Sequence, residues 1–222
     1  MKKDLNEEHK EEFQLERVAF FSDAVFAIAI TLLIIEIRVP EIHANKITDK
    51  EILNEFVKLI PKFIGFIVSF MVIALYWLSH HRIFRYVTSV NQKLIWSNLL
   101  FLLPIIVMPF STAFLSEYYS SSVKFPLIIY TLTICLSGFF NFRIWKIIGN
   151  KKNNLSSNLD KVIVNYNCTR ALTVPILFIM TLLLSFLTNW AFILPILILF
   201  VPKIITRYYT KKYPEIMEKY NK

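Results

Sequence analysis

Six long apolar stretches dominate this chain, at 18–38, 62–82, 94–115, 125–148, 170–187 and 190–207. A bilayer's hydrocarbon core is about 30 Å thick and takes roughly 20 helical residues to cross. The first four stretches meet that length. The last two are shorter, and Leu187-Thr188-Asn189 between them reads as the turn of a tight helical hairpin. A soluble core cannot hide so much apolar surface in 222 residues that are 55% hydrophobic and only 18% charged. A soluble enzyme and a free DNA-binding protein are thereby excluded, and the twenty Phe, ten Tyr and four Trp argue against disorder. The expectation is an all-α, polytopic membrane protein with six transmembrane helices. Pro104, Pro109, Pro175 and Pro195 fall inside spans, which membrane helices tolerate better than soluble ones.

The net charge of +9 follows from topology and needs no nucleic acid. An even number of spans puts both termini on one side. Nineteen of the 25 Lys and Arg then fall on that side, and six (Arg38, Lys46, Lys50, Lys58, Lys62 and Lys124) on the other. Positive charge stays in the cytoplasm, so both termini are expected there. The charged segment 1–17 precedes the first span with no Ala-x-Ala cleavage site after it, so that span is read as a retained helix. The chain divides into a cytoplasmic segment 1–17, a membrane domain 18–207 and a basic cytoplasmic tail 208–222. In the loop 39–61, Thr48 and Glu51 have capping-box spacing. Ile52, Leu53, Phe56, Val57 and Ile60 follow at helical intervals, predicting a short amphipathic helix. Cys135 and Cys168 lie far apart with no partner pattern, so neither a disulfide nor a metal site is expected.

Ionisable residues inside spans are costly and need a reason. Asp23 lies in the first span, His80, His81 and Arg82 end the second, and Ser97 and Asn98 begin the third. All fall toward the cytoplasmic third, so a shared polar cluster is expected, with His80, Arg82 or Asn98 as the partner of Asp23. Arg17, six residues back, projects about 120° away and is a poor intrahelical partner. Asp23 is read either as an interhelical clamp facing into the subunit, which is preferred, or as an ion or proton site. With Asp23 at 0°, Thr31 falls at about 80°, Ile35 at about 120°, Ile28 at about 140° and Leu32 at about 180°. Ile28, Leu32 and Ile35 thus form an apolar stripe away from Asp23, facing lipid, a second subunit or a pore axis.

Arg17 to Asp23 read R-x-x-x-F-S-D at the start of the first span, and the span continues AVFAIAITLLIIEI. This motif, with YWLSHHRIF in the second span and NLLFLLPIIVMPFST in the third, resembles the transmembrane protein 175 family, potassium channels of endosomes, lysosomes and prokaryotes. The resemblance implies a homotetramer of six-helix units around a pore lined by the first helix. By position it assigns the constriction to Ile28, Leu32 and Ile35, with the Thr31 hydroxyl nearby. Arg17, Phe21, Ser22 and Asp23 are the motif, and Trp77, His80 and Asn98 are the candidates for the polar and aromatic packing around it. It further implies K+ as permeant ion, other monovalent cations being possible. No cofactor is implied, and a prokaryotic plasma membrane is the expected location.

A filter of stacked backbone carbonyls needs glycine. Gly65, Gly138 and Gly149 are the only glycines, and no two are adjacent. Any pore must therefore be lined by side chains, and an apolar ring can close it by dewetting. The competing reading is a secondary transporter coupled through Asp23, but the paired Gly/Pro breaks typical of such folds are missing. An intramembrane enzyme is set aside because there is no H-E-x-x-H, no G-x-S-x-G and no pair of intramembrane carboxylates.

Overall fold

The computed structural model describes residues 2–40, 47–118, 123–157 and 159–221, and all regular structure among them is helical. The elements are α1 (Lys2–Ile35), α2 (Asp49–Lys58), α3 (Ile60–Phe84), α4 (Gln92–Glu117), α5 (Phe125–Ile148), α6 (Lys161–Leu184), α7 (Val201–Lys212) and α8 (Pro214–Asn221). Two 3-10 segments, Lys151–Asn153 and Asn189–Leu199, join α5 to α6 and α6 to α7. Among the described residues five helices are long and apolar enough to cross a membrane (α1 from Glu11 onward, α3, α4, α5 and α6), and the bent pair Ile193–Leu199 and Val201–Lys212 makes a sixth if taken as one span.

The expected sixth span, 190–207, is not one straight helix. It is the 3-10 segment followed by α7, bent by 40°. Proline explains the break: Pro195 sits inside the first piece and Pro202 in the first turn of the second, and neither can donate a backbone hydrogen bond. Two further boundaries differ from expectation. Helix α1 begins at Lys2, so the charged segment runs unbroken into the span. Helix α6 begins at Lys161, nine residues before the expected 170, with Asp160 capping Val162 N–H at 2.7 Å.

Amphipathic α2 forms as its spacing predicts. Thr48 accepts from Glu51 N–H while the Glu51 carboxylate accepts from Thr48 N–H at 2.9 Å. None of its residues is buried, and within the subunit Phe56 meets Phe63 of α3 at 5.8 Å between ring centroids. Part of its loop, 41–46 with Lys46, lies outside the described residues.

Helix α4 packs on α1, α3 and α5, and α5 packs in turn on α3 and α6. The core runs between them through Tyr76, Phe101, Ile105, Met108, Ile134 and Trp145. One contact requires glycine. A Cβ on Gly138 of α5 would lie 2.1 Å from Pro175 Cγ and 3.0 Å from the Ala171 carbonyl of α6. Pro175 leaves that carbonyl without its i+4 partner, and the absent side chain lets α5 close over the gap. At the other end of α6, α8 buries Met217 and Tyr220. The Tyr220 hydroxyl donates to Asn167 Oδ1 at 3.2 Å. Burial pushes the Tyr220 phenol above its ordinary value, keeping the proton that this bond uses.

Candidate functional site

Two faces of α1 have opposite fates. Ser22, Phe26, Ala29 and Leu33 are buried against α3 and α4. On a helical wheel they centre at about 270° from Asp23. Ile28, Leu32 and Ile35, at about 120–180° on that wheel, are 58%, 39% and 66% exposed. Thr31 is exposed beside them, and its hydroxyl donates to the Ile28 carbonyl at 2.9 Å. That bond spends the proton and leaves the oxygen's lone pairs facing outward.

The buried face is held by a chain of hydrogen bonds with one direction. Ser22 O–H donates to the Val18 carbonyl at 2.8 Å, so Ser22 Oγ is free to accept from Asn98 Nδ2 at 2.8 Å. Asn98 Oδ1 then lies 3.0 Å from His80 Nε2, and because that oxygen only accepts, Nε2 carries the proton. The chain ties α3 to α4 to α1. All three side chains are buried. Rings enclose the imidazole: Phe84 at 4.5 Å between centroids, Phe26 at 5.6 Å and Phe101, nearly parallel, at 6.0 Å.

Asp23 is placed differently from expectation. It is exposed on the subunit, and the inward residue is its neighbour Ser22. Its partner is neither His80, Arg82 nor Asn98 but Trp77 of α3, whose indole N–H donates to Asp23 Oδ1 at 2.9 Å. The reason is angular: adjacent helical residues point about 100° apart, so with Ser22 inward Asp23 lies at the edge of the contact. There a long indole can reach it from the next helix. The His81 ring lies 5.9 Å from that indole, tilted by 32°.

Arg17 and Phe21 are exposed as well. The Arg17 guanidinium lies over the Phe13 ring at 5.8 Å. Both residues, with Val18, line a groove of about 370 Å³ whose other wall is Val90, Ile95 and Leu99. Of the motif, one subunit thus uses Ser22 and Asp23 internally and leaves Arg17 and Phe21 on its surface.

Sequence reasoning missed the aromatic enclosure of His80, although two of its members were legible. Phe84 follows His80 by four residues and Phe26 follows Ser22 by four, spacings that stack side chains on one helical face. It also missed a second polar junction. Ser69 Oγ lies 2.8 Å from the Tyr130 hydroxyl and accepts from Thr112 at 2.8 Å, joining α3, α4 and α5.

Together these features define a polytopic helical membrane protein whose first span is clamped on one face and bare on the other. The sequence model of the endosomal/lysosomal potassium channel TMEM175 family matches residues 17–109, from the motif through most of α4. A potassium channel of Chamaesiphon minutus is 32% identical over 186 residues, covering 82% of this chain and 90% of that relative. A potassium channel of Streptomyces collinus is 41% identical over 102 residues, 46% of this chain and 48% of that one. The crystal structure of a lysosomal potassium-selective channel TMEM175 homologue from Chamaesiphon minutus superposes with a TM-score of 0.67 at 29% identity, covering 90% of this chain and 97% of that one. The chain belongs to the TMEM175 family of potassium channels.

Proposed function

We propose that this chain is one subunit of a homotetrameric, potassium-permeable channel whose pore is lined by α1. The observation that carries the reading is the imbalance of α1. Only 22% of its most apolar window is buried within the subunit, against 33–50% for α3, α4, α5 and α6. The bare side holds the Ile28, Leu32 and Ile35 stripe, and a second surface is needed to complete it. Four copies around an axis supply one, and the groove beside Arg17 and Phe21 gives each copy a place for its neighbour.

In this arrangement Ile28, Leu32 and Ile35 form stacked apolar rings, and Thr31 offers an oxygen between them. A narrow apolar ring costs a cation its hydration and returns no ligands, so it closes by dewetting and opens by widening. Arg17, Phe21, Asp23 and Trp77 support the subunit contacts, and His80 and Asn98 hold the back of α1. K+ is the permeant ion, other monovalent cations passing less readily. The membrane is a prokaryotic plasma membrane with both termini in the cytoplasm, as the distribution of Lys and Arg supports.

Purified protein in liposomes should pass K+ down its gradient without saturation and with no second ion required, and its mass in mild detergent should be that of four chains. Flux that saturates and demands a coupling ion would favour a transporter using Asp23, whose carboxylate is exposed in the subunit. A stable monomer or dimer would remove the shared pore altogether.

A further inference from the structure

At the end of the bundle that carries α7 and α8, a group of donors has nothing to donate to. Arg82 ends α3, and its Nε is buried without a hydrogen-bond partner. Asn141 of α5 is fully buried. Its Oδ1 accepts from Ser79 Oγ at 2.9 Å, and Ser79 in turn accepts from the Trp145 indole at 3.4 Å. That leaves Asn141 Nδ2 without a partner. Both residues line a socket of about 30 Å³ together with Arg170 of α6. Arg170 uses one nitrogen on the Tyr166 hydroxyl at 2.8 Å. The charged neighbours of Arg82 are Arg170 and Arg85, both cationic, and among the described residues Arg82 and Arg170 make no ion pair.

A guanidinium has no acceptor and does not lose its proton, and the Asn141 amide nitrogen is a donor only. Arg82 Nε and Asn141 Nδ2 therefore bring two unpaired donors to the socket, beside two positive charges with no counterion among the described residues. A buried charge in that condition is costly unless paired. Arg170 and Pro202 also line an open groove of about 600 Å³ along α7, whose other walls include Lys203, Arg207 and Lys211. Those three lysine and arginine residues are spaced by four, on one helical face, and all are exposed.

We propose that socket and groove together bind a phosphate group. The socket has room for a water-sized group, so it takes one phosphate oxygen. That oxygen accepts from Arg82 and Asn141, while the remaining oxygens and the ester lie in the groove against Arg170, Lys203 and Arg207. Planar guanidinium donors suit a tetrahedral oxyanion in this role. The same chemistry arrives either as the headgroup of an anionic phospholipid or as a soluble phosphate.

Full-length protein, stripped of lipid in a neutral detergent, is titrated with short-chain phosphatidylglycerol, short-chain phosphatidylcholine or inorganic phosphate, and thermal unfolding and native mass spectra are recorded. Phosphatidylglycerol should raise the unfolding temperature saturably and phosphatidylcholine should not. If inorganic phosphate reproduces the shift the source is soluble, and if it does not the source is lipid. Asn141→Asp puts a carboxylate beside Arg82. It should raise the unfolding temperature of the stripped protein and weaken phosphate-group binding about tenfold or more, as losing a charged hydrogen bond does. The double variant K203Q/R207Q changes only exposed residues, so it tests the groove even if the buried variant misfolds, and it should also weaken binding about tenfold. The absence of saturable binding by either probe overturns the proposal. So does binding that K203Q/R207Q and a folded Asn141→Asp leave unchanged.

Discussion

Asn98→Leu isolates the hydrogen-bond chain that fastens α1, because leucine is close to asparagine in size and the site is buried. Two bonds are lost, to Ser22 Oγ at 2.8 Å and to His80 Nε2 at 3.0 Å. Ser22 keeps its own bond to the Val18 carbonyl, so that loss costs about 0.5–1.5 kcal/mol. His80 loses the partner of its buried Nε2–H among three phenyl rings, which costs about 1–3 kcal/mol. The sum, roughly 1.5–4.5 kcal/mol, corresponds to about 3–18 °C in unfolding temperature for a chain of this length. His80→Phe alone should cost about 1–3 kcal/mol by orphaning Asn98 Oδ1. In the double variant neither orphan remains, so the combined loss should fall short of the sum by about 1–2 kcal/mol. Thermal unfolding of all four proteins in one detergent reads this coupling directly. Losses that add to within about 0.5 kcal/mol would mean that His80 and Asn98 do not share a bond.

Ile28→Asn should wet the proposed constriction, raising single-channel current and weakening discrimination among monovalent cations; unchanged unitary current would place Ile28 against lipid. Trp77→Phe removes the donor to Asp23 and should lower the stability of the subunit, and of the proposed tetramer, by about 1 kcal/mol, while Asp23→Asn keeps an acceptor but loses the charge. For both, detergent mass and unfolding temperature should move more than the K+ to Na+ permeability ratio, and a collapsed ratio in an intact tetramer would put Asp23 in the ion path. Gly138→Ala forces a Cβ to within 2.1 Å of Pro175 Cγ, so α5 and α6 must separate at a cost of about 1–3 kcal/mol. Size-exclusion profiles after heating would show it, and a wild-type profile would mean that the two helices have slack there.

The fourth span was legible to the residue, at 125–148, because Pro126 opens it and Gly149 caps it. The fifth was not, since hydropathy stops at Arg170 while the helix continues back through Asn167 and Tyr166, both buried. Tyr166 is hidden by bonding to Thr206 and Asn167 by bonding to Tyr220, partners that lie 40 and 53 positions away. The stripe on α1 was visible because it depends only on the period of one helix. The placement of Asp23 was not, because wheel arithmetic fixes relative angles but not which face α3 and α4 choose to cover. Ser22 decided that choice, and nothing local to it announced Asn98 as its partner.

The 3-10 segment at Asn189–Leu199 has a consequence for how this protein tolerates change in length. At about 2.0 Å per residue, its eleven residues reach about 22 Å, where an α-helix of that length would reach about 16 Å. With three residues per turn, side chains eclipse in straight rows, and Ile193, Ile196 and Leu199 form one such row, all exposed. Ala191 and Ile198, on the other rows, are buried. Register here repeats every three residues, so adding or deleting three slides the row along itself and keeps Ile193 and Ile196 on the cavity they line with α3 and α6. Adding or deleting four, the near-silent step in an α-helix, turns this segment by about 120° and takes the row off that cavity. In a set of relatives, insertions confined to this stretch should therefore come in threes.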